Sequence, residues 1–329
     1  MESASITDPS LVDPSKIVAR ADLESLLAAI DRDVTNPDAG IFGPDSITWR
    51  INREAALFLG AGRAALLQLA HPWVAVALNQ HSSLLSKPIT RFHNTFRIVF
   101  TTIFGSTPQV LAAARSLHQL HTRIRGRIPA PVASYSQGSR YEANYLPALR
   151  WVYATLVQSA VLAYEFVLPP LTSGQREAYY AESKSLAALF GIPAEALPAN
   201  WTSFMTYIAE MCDSSALGID AQARVMAHAL LSGSGSRVHL PHWYRALTTQ
   251  CLPPRFRNEF DLSFGPAEER AVLLARRRLP RIYSRLPKSI RFVGPYHQAL
   301  ARLAQRQPGL LTRASNRFWI GQPLLPFDS

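Results

Sequence analysis

Residues 52–80 read NREAALFLGAGRAALLQLAHPWVAVALNQ. Apolar side chains dominate this stretch, and the spacing predicts one long buried helix. Gly60 and Gly62 fall inside it. A glycine in a helix interior costs about 1 kcal/mol against alanine, so two of them point to close approach by another helix or by a flat ligand. A membrane span needs about 20 mostly apolar residues. Arg63 and His71 interrupt this run, and Gln158 and Glu165 interrupt the apolar run 141–167, so both read as core helices. His71 precedes Pro72 and marks a bend.

Working outward, helical periodicity continues over 16–34, 88–104, 107–124, 172–191, 201–213, 220–232, 241–250, 266–279 and 294–305. The turn FGSTP (104–108) supplies a glycine stop, a Ser/Thr cap and a proline start. The text holds no convincing strand pair, no hairpin dipeptide between alternating runs and no repeat of fixed period. The expected fold class is therefore all-α, a multi-helix bundle. Its expected parts are an N-terminal extension with one helix (1–39), a single all-helical domain (40–305) and a C-terminal tail (306–329).

Of 329 residues, 48% are hydrophobic and 17% charged, which supplies a full core and excludes general disorder. Two cysteines, Cys212 and Cys251, exclude a disulfide framework and a four-cysteine zinc module. The acidic start MESASITDPSLVDPSK is neither a signal peptide nor an Arg-rich transit peptide, so cytoplasmic residence is the expectation.

The net charge is +11, carried mainly by arginine, and it is uneven: −5 over 1–50, +9 over 51–150, −3 over 151–240 and +10 over 241–329. Such a surplus suggests an anionic partner. In the last stretch Arg276, Arg277, Arg278, Arg281, Arg285, Lys288 and Arg291 interleave with Leu273, Leu274 and Ile282. That is either a solvated helix face or a peripheral contact to an anionic membrane. Nucleic acid is the weakest partner, because no zinc-finger spacing, RNA-recognition signature or basic-plus-heptad pattern occurs. The arginines of 51–150 instead sit singly in apolar text, with only Glu54 and Glu142 nearby in sequence. A lone buried charge costs several kcal/mol, so their partners are distant carboxylates or a bound anion.

The hydrolase and nucleotide-binding motifs HExxH, GxSxG and GxxxxGK[ST] are all missing, and GAGRAALL (60–67) follows no strand. Five of nine histidines fall in 71–121. His118 and His121 share a helix face at i, i+3. They are either a core and a surface histidine, or one of them ligates a metal or haem iron. Haem needs one histidine, apolar walls and arginines for two propionates, and 51–150 offers all three. Arg91, Asn94 and Thr95 share a face of the preceding helix among Phe92, Phe96, Ile98, Val99 and Phe100. They are either a solvent stripe or a donor set for a distal pocket.

The ordered segments FGPDSITWRINREAALFLGAGRAALLQLAHPWVAVALNQHS (42–82), RFHNTFRIVFTTIFGS (91–106), LHQLHTRIRG (117–126) and YLPALRWVYATLVQSAVLAYE (145–165) resemble a known catalytic domain. It is the one shared by latex-clearing rubber oxygenases and the fungal ER-bound oxygenases of the mycophenolic-acid pathway type, and the similarity covers roughly 40–300. The resemblance implies a globin-like helical core with one b-type haem, acting with O2 on a lipophilic olefinic, terpenoid or polyketide-like substrate, plausibly in secondary metabolism.

By that resemblance His121 is the iron ligand and His118 the fallback. Arg91 and Thr95 match the arginine and threonine of the family's Arg-x-x-Lys-Thr motif, and the motif's lysine falls on Asn94. The family's distal glutamate falls near Gln80-His81, where this chain has no carboxylate, so His81 becomes the base expected there. Arg63 is expected to pair with a propionate or a buried carboxylate. Two other readings stay open: a redox-neutral isomerase or cyclase on the same scaffold, and a basic membrane- or nucleic-acid-binding protein without catalysis.

Overall fold

The computed structural model describes residues 13–82, 87–233 and 239–326. It is 69% helical with sixteen α-helices among the described residues, so the all-α class holds. In chain order they are α1 (Arg20–Asp33), α2 (Ile47–Asn52), α3 (Phe58–Leu69), α4 (Pro72–His81), α5 (Pro88–Phe104), α6 (Thr107–Thr122), α7 (Leu146–Val167), α8 (Ser173–Leu189), α9 (Trp201–Asp213), α10 (Ala221–Ser232), α11 (His242–Gln250), α12 (Pro254–Glu259), α13 (Pro266–Arg285), α14 (Lys288–Arg291), α15 (Gly294–Leu303) and α16 (Leu310–Ile320).

The long helix expected over 52–80 is two helices. Pro72 cannot donate the hydrogen bond that would continue α3, and α4 restarts there with His71 as its cap, Nδ1 accepting the Trp73 N–H at 3.3 Å. Burial drives the His71 pKa down to about 4, so the ring sits neutral. The glycines of α3 answer to helix packing. A Cβ on Gly60 would collide with the Ser159 carbonyl oxygen of α7, and one on Gly62 would lie 2.8 Å from Thr248 Oγ1 of α11.

The α3/α7 pair is the centre of the main core, which also draws in α8, α9, α10 and α12 through Tyr180, Phe204, Met226 and Phe256. The buried indole of Trp151 donates to Leu67 O at 2.8 Å, leaving no polar atom stranded there. Helix α7 is long and apolar enough to cross a membrane, yet 67% of its most apolar window is buried inside the protein. Gln158 and Glu165, which interrupt its apolar run, are engaged: Gln158 by Arg63, and Glu165 by Arg176 at 2.8 Å.

A second core joins Trp49, Phe100, Phe104 and Tyr296. Here Glu54, 1% exposed, takes two hydrogen bonds from Arg291 (2.7 and 2.8 Å) and one from Tyr283 Oη at 2.9 Å. This clamp fastens α13 and α14 to the turn before α3. The segment expected as a tail carries α16, which lies across α5. Trp319 stacks on Phe58 at 3.9 Å, and Arg97 donates to the Ile320 carbonyl at 3.0 Å.

One element escaped the sequence reading. Arg125–Arg127 (β1) and Arg140–Glu142 (β2) pair antiparallel between α6 and α7. Three-residue strands are too short to show alternation. Gly126 lies opposite Tyr141, where any Cβ would meet the tyrosine hydroxyl at 2.7 Å and its ring at 2.9 Å.

Candidate functional site

Helices α5 and α6 form an antiparallel hairpin closed by Gly105 and Ser106, whose backbone N–H is capped by Gln109 Oε1 at 2.9 Å. Arg91 lies fourteen residues before Gly105 and His121 fifteen after Ser106. At 1.5 Å rise per residue the first turn of α5 therefore stands beside the last turn of α6. The electrostatics show the pairing: burial first, then the Arg91 cation, then His118, lower the His121 pKa to about 4. His121 is thus a neutral imidazole at pH 7, the form that can offer a nitrogen lone pair to a metal. Asn144, which also donates to His118 O at 3.3 Å, hydrogen-bonds the His121 ring. Such a partner fixes ring orientation.

Arg91 is itself desolvated, which lowers its pKa. No carboxylate among the described residues pairs with it. Several other arginines of this region have partners within the protein. Arg115 grips Glu24 at 2.9 Å, Arg97 takes Ile320 O, and Arg150 donates to Ala196 O. Arg63, expected to meet a propionate or a buried carboxylate, meets neither. Its guanidinium is spent on three neutral acceptors, Cys251 O (2.9 Å), Ser159 Oγ (2.8 Å) and Gln158 Oε1 (2.6 Å). Arg63 pins α3 to α7 and α11.

The remaining expected residues divide. His118 is buried, and its Nε2–H donates to Val18 O at 3.0 Å, so it tethers the chain entering α1. Metal ligation through that nitrogen would break the tether. Asn94 and Thr95 are exposed, and Thr95 Oγ1 donates to the Arg91 carbonyl of its own helix at 3.0 Å. Of the face inferred from spacing, Asn94 and Thr95 point outward while Arg91 is half-buried against α6. The cause lies in the first half of α5. Between Pro88 and Val99 none of its residues is buried, Phe92 and Phe96 included, and the buried part begins at Phe100.

His81 sits at the end of α4. Tyr141 Oη donates to Gln80 Oε1 at 2.7 Å, so its oxygen accepts from His81 Nε2 at 3.0 Å. This trio stands on the β1–β2 hairpin that directly follows α6. Asn144 and Tyr141 were missed by the sequence reading, since nothing in RYEANY marks residues that touch helices 26 and 60 positions upstream.

These residues could hold haem by ligand and by charge. A neutral imidazole and an unpaired, desolvated guanidinium stand side by side, and half-covered Phe92 and Phe96 of the same helix as the arginine pack on Phe58. No cluster of three His, Cys, Asp or Glu exists among the described residues, and haem, needing one axial histidine, does not require one. The cleft at His121, lined by Leu117, His118, Asn144, Leu149, Leu189 and Phe190, is partly open and has a cavity volume of about 10 Å³, room for a single water. Ligand and cofactor pockets span roughly 300–1,000 Å³, so the macrocycle would have to lie on the uncovered half of α5 as well.

No curated protein and no solved structure matches the chain. A family model described as "ER-bound oxygenase mpaB/B'/Rubber oxygenase, catalytic domain" matches residues 48–283. The match runs from α2 into α13 and contains the α5–α6 hairpin, the Arg91–His121 pair and the Glu54 half of the clamp. With more than two thirds of its length inside that model, the chain belongs to this family of oxygenase catalytic domains.

Proposed function

We propose that this oxygenase is haem-dependent, holds the iron of a b-type haem through His121, and oxidises or cleaves a hydrophobic olefinic small molecule with O2. One observation carries the reading: a desolvated arginine without a counter-ion beside a histidine held neutral. An apolar macrocycle with an anionic edge answers both needs at once. Haem bound there would supply O2 binding and activation.

The chain's own residues do the rest. Asn144 orients the His121 ring, so that one nitrogen is committed to it and the other is left for the metal. Arg91 would pair with the anionic edge, an attraction that offsets its desolvation penalty. Ile89, Phe92 and Phe96 offer apolar contact to a lipophilic substrate. His81, donating Nε2–H to Tyr141, keeps its other ring nitrogen for a proton. It stands where the family's distal carboxylate falls and is the base proposed for that place.

The test is the absorption spectrum of the protein after haem supplementation. A Soret band that disappears in His121→Ala supports the reading. No band in the parent protein refutes haem dependence, and a band that survives His121→Ala refutes the ligand. Turnover of an olefinic substrate with O2 strictly excluded would favour the redox-neutral alternative.

A further inference from the structure

Between Glu269 and Asp328 the chain carries no acidic residue and twelve basic ones. Arg291 is neutralised by Glu54, and α13 and α14 hold seven of the others. Helix α13 is anchored from one side, through Val272 and Ala275 and by Arg276 over the Phe166 ring at 5.1 Å. On the other side Arg270, Arg277, Arg278, Arg281 and Arg285 are exposed, with Lys288 following on α14. Their hydrogen bonds among the described residues go to own-helix carbonyls, such as Arg270 to Pro266 O at 3.0 Å. Among the described residues none of them pairs with a carboxylate.

The same face carries large apolar side chains. Leu273 is 64% exposed, Leu274 49%, Ile282 54% and Ile290 62%. A solvated charged helix turns its leucines inward; this one, already anchored by smaller residues, turns them out among arginines. We infer that the outer face of α13 and α14 docks on an anionic phospholipid surface. Charge complementarity selects the headgroups, and the leucine and isoleucine side chains enter the headgroup–acyl boundary. A nucleic-acid backbone would use the arginines and leave the apolar residues without a role. This surface is independent of the haem reading, because it lies on helices that hold none of the residues assigned there.

Co-sedimentation of the full chain with vesicles tests it. Phosphatidylcholine vesicles containing about a third phosphatidylserine should pellet the protein, and pure phosphatidylcholine should not. Binding should weaken steeply with salt. Reversing Arg277, Arg278 and Arg281 to glutamate should weaken it by roughly a hundredfold. Leu273→Gln with Leu274→Gln should weaken it by about tenfold while the circular dichroism spectrum stays unchanged. If the charge reversal fails to fold, the leucine pair still decides. No pelleting with anionic vesicles overturns the proposal. So does vesicle binding that ignores the leucine pair while duplex RNA is bound equally well, since that result reads as a polyanion site.

Discussion

Replacing Glu54 by glutamine removes the anion at the centre of the clamp that joins the C-terminal helices to the core. The carboxylate is 1% exposed and receives Arg291 at 2.7 and 2.8 Å and Tyr283 at 2.9 Å; Arg53 lies 3.7 Å away. Glutamine keeps the volume and one carbonyl oxygen, so Tyr283 retains an acceptor while Arg291 loses its bidentate partner. Breaking a buried pair from one side costs about 3–5 kcal/mol. The Arg291 side chain is 22% exposed and regains some water, which places the expected loss near the lower end, about 3 kcal/mol. With a urea m-value around 3 kcal/mol/M, the unfolding midpoint should fall by about 1 M. Arg291→Gln should lose a similar amount or more, because it strands the buried carboxylate. A paired replacement, Glu54→Leu with Arg291→Met, should recover most of the loss, since an apolar pair of similar volume carries no desolvation cost. A Glu54→Gln midpoint within about 0.3 M of the parent would refute the clamp. Failure of the double replacement to recover stability would mean that packing, not charge, holds α14.

Acid should destabilise the protein through its neutral histidines. His71 and His121 each have a folded pKa of about 4 against 6.5 when free. Their stability is fully present above pH 6.5 and is lost as pH falls toward 4, where the unfolded chain binds protons that the folded one refuses. The loss should be about 3 kcal/mol for His71 and less for the more accessible His121; a flat stability profile from pH 7 to pH 4 contradicts both burials. Arg91→Gln should raise the His121 pKa, read from its ring resonances by NMR, and lower haem affinity; an unmoved titration would place Arg91 away from that ring. Gly60→Ala should destabilise by about 1–2 kcal/mol, the collision with Ser159 O outweighing the helix-propensity gain. A stabilised variant would show that α3 and α7 have room to spare.

The helices were legible because their signals are local. The turn at Gly105-Ser106 and the caps at Thr172, Asn200 and Asp220 each act within a few residues of where the chain must stop or start. The break at Pro72 was legible as a bend, although the extent of two separate helices was not. The site was legible only in part, for a physical reason. Spacing tells which side chains share a face but not which face is covered: Arg91, Asn94 and Thr95 do line up, yet the core of α5 begins only at Phe100. Partners distant in sequence leave no mark on either member, which is why Glu54 and Arg291, 237 positions apart, and Asn144 beside His121 emerged only in three dimensions.

The charge surplus divides on the same principle. An arginine drawn out of water needs an acceptor, and the fold supplies one for Arg63, Arg97 and Arg150 from its own carbonyls, a hydroxyl and an amide. Helix interiors have few free carbonyls to give. Arg91, half-buried in the first turn of α5 beside α6, has no such acceptor among the described residues. A surface arginine needs only water, so exposure alone assigns no role to α13; its outward leucines do, because water gives them nothing. Two unmet demands of different kinds, a cation without an anion and apolar side chains without cover, therefore mark two places on the molecule where something from outside must complete it.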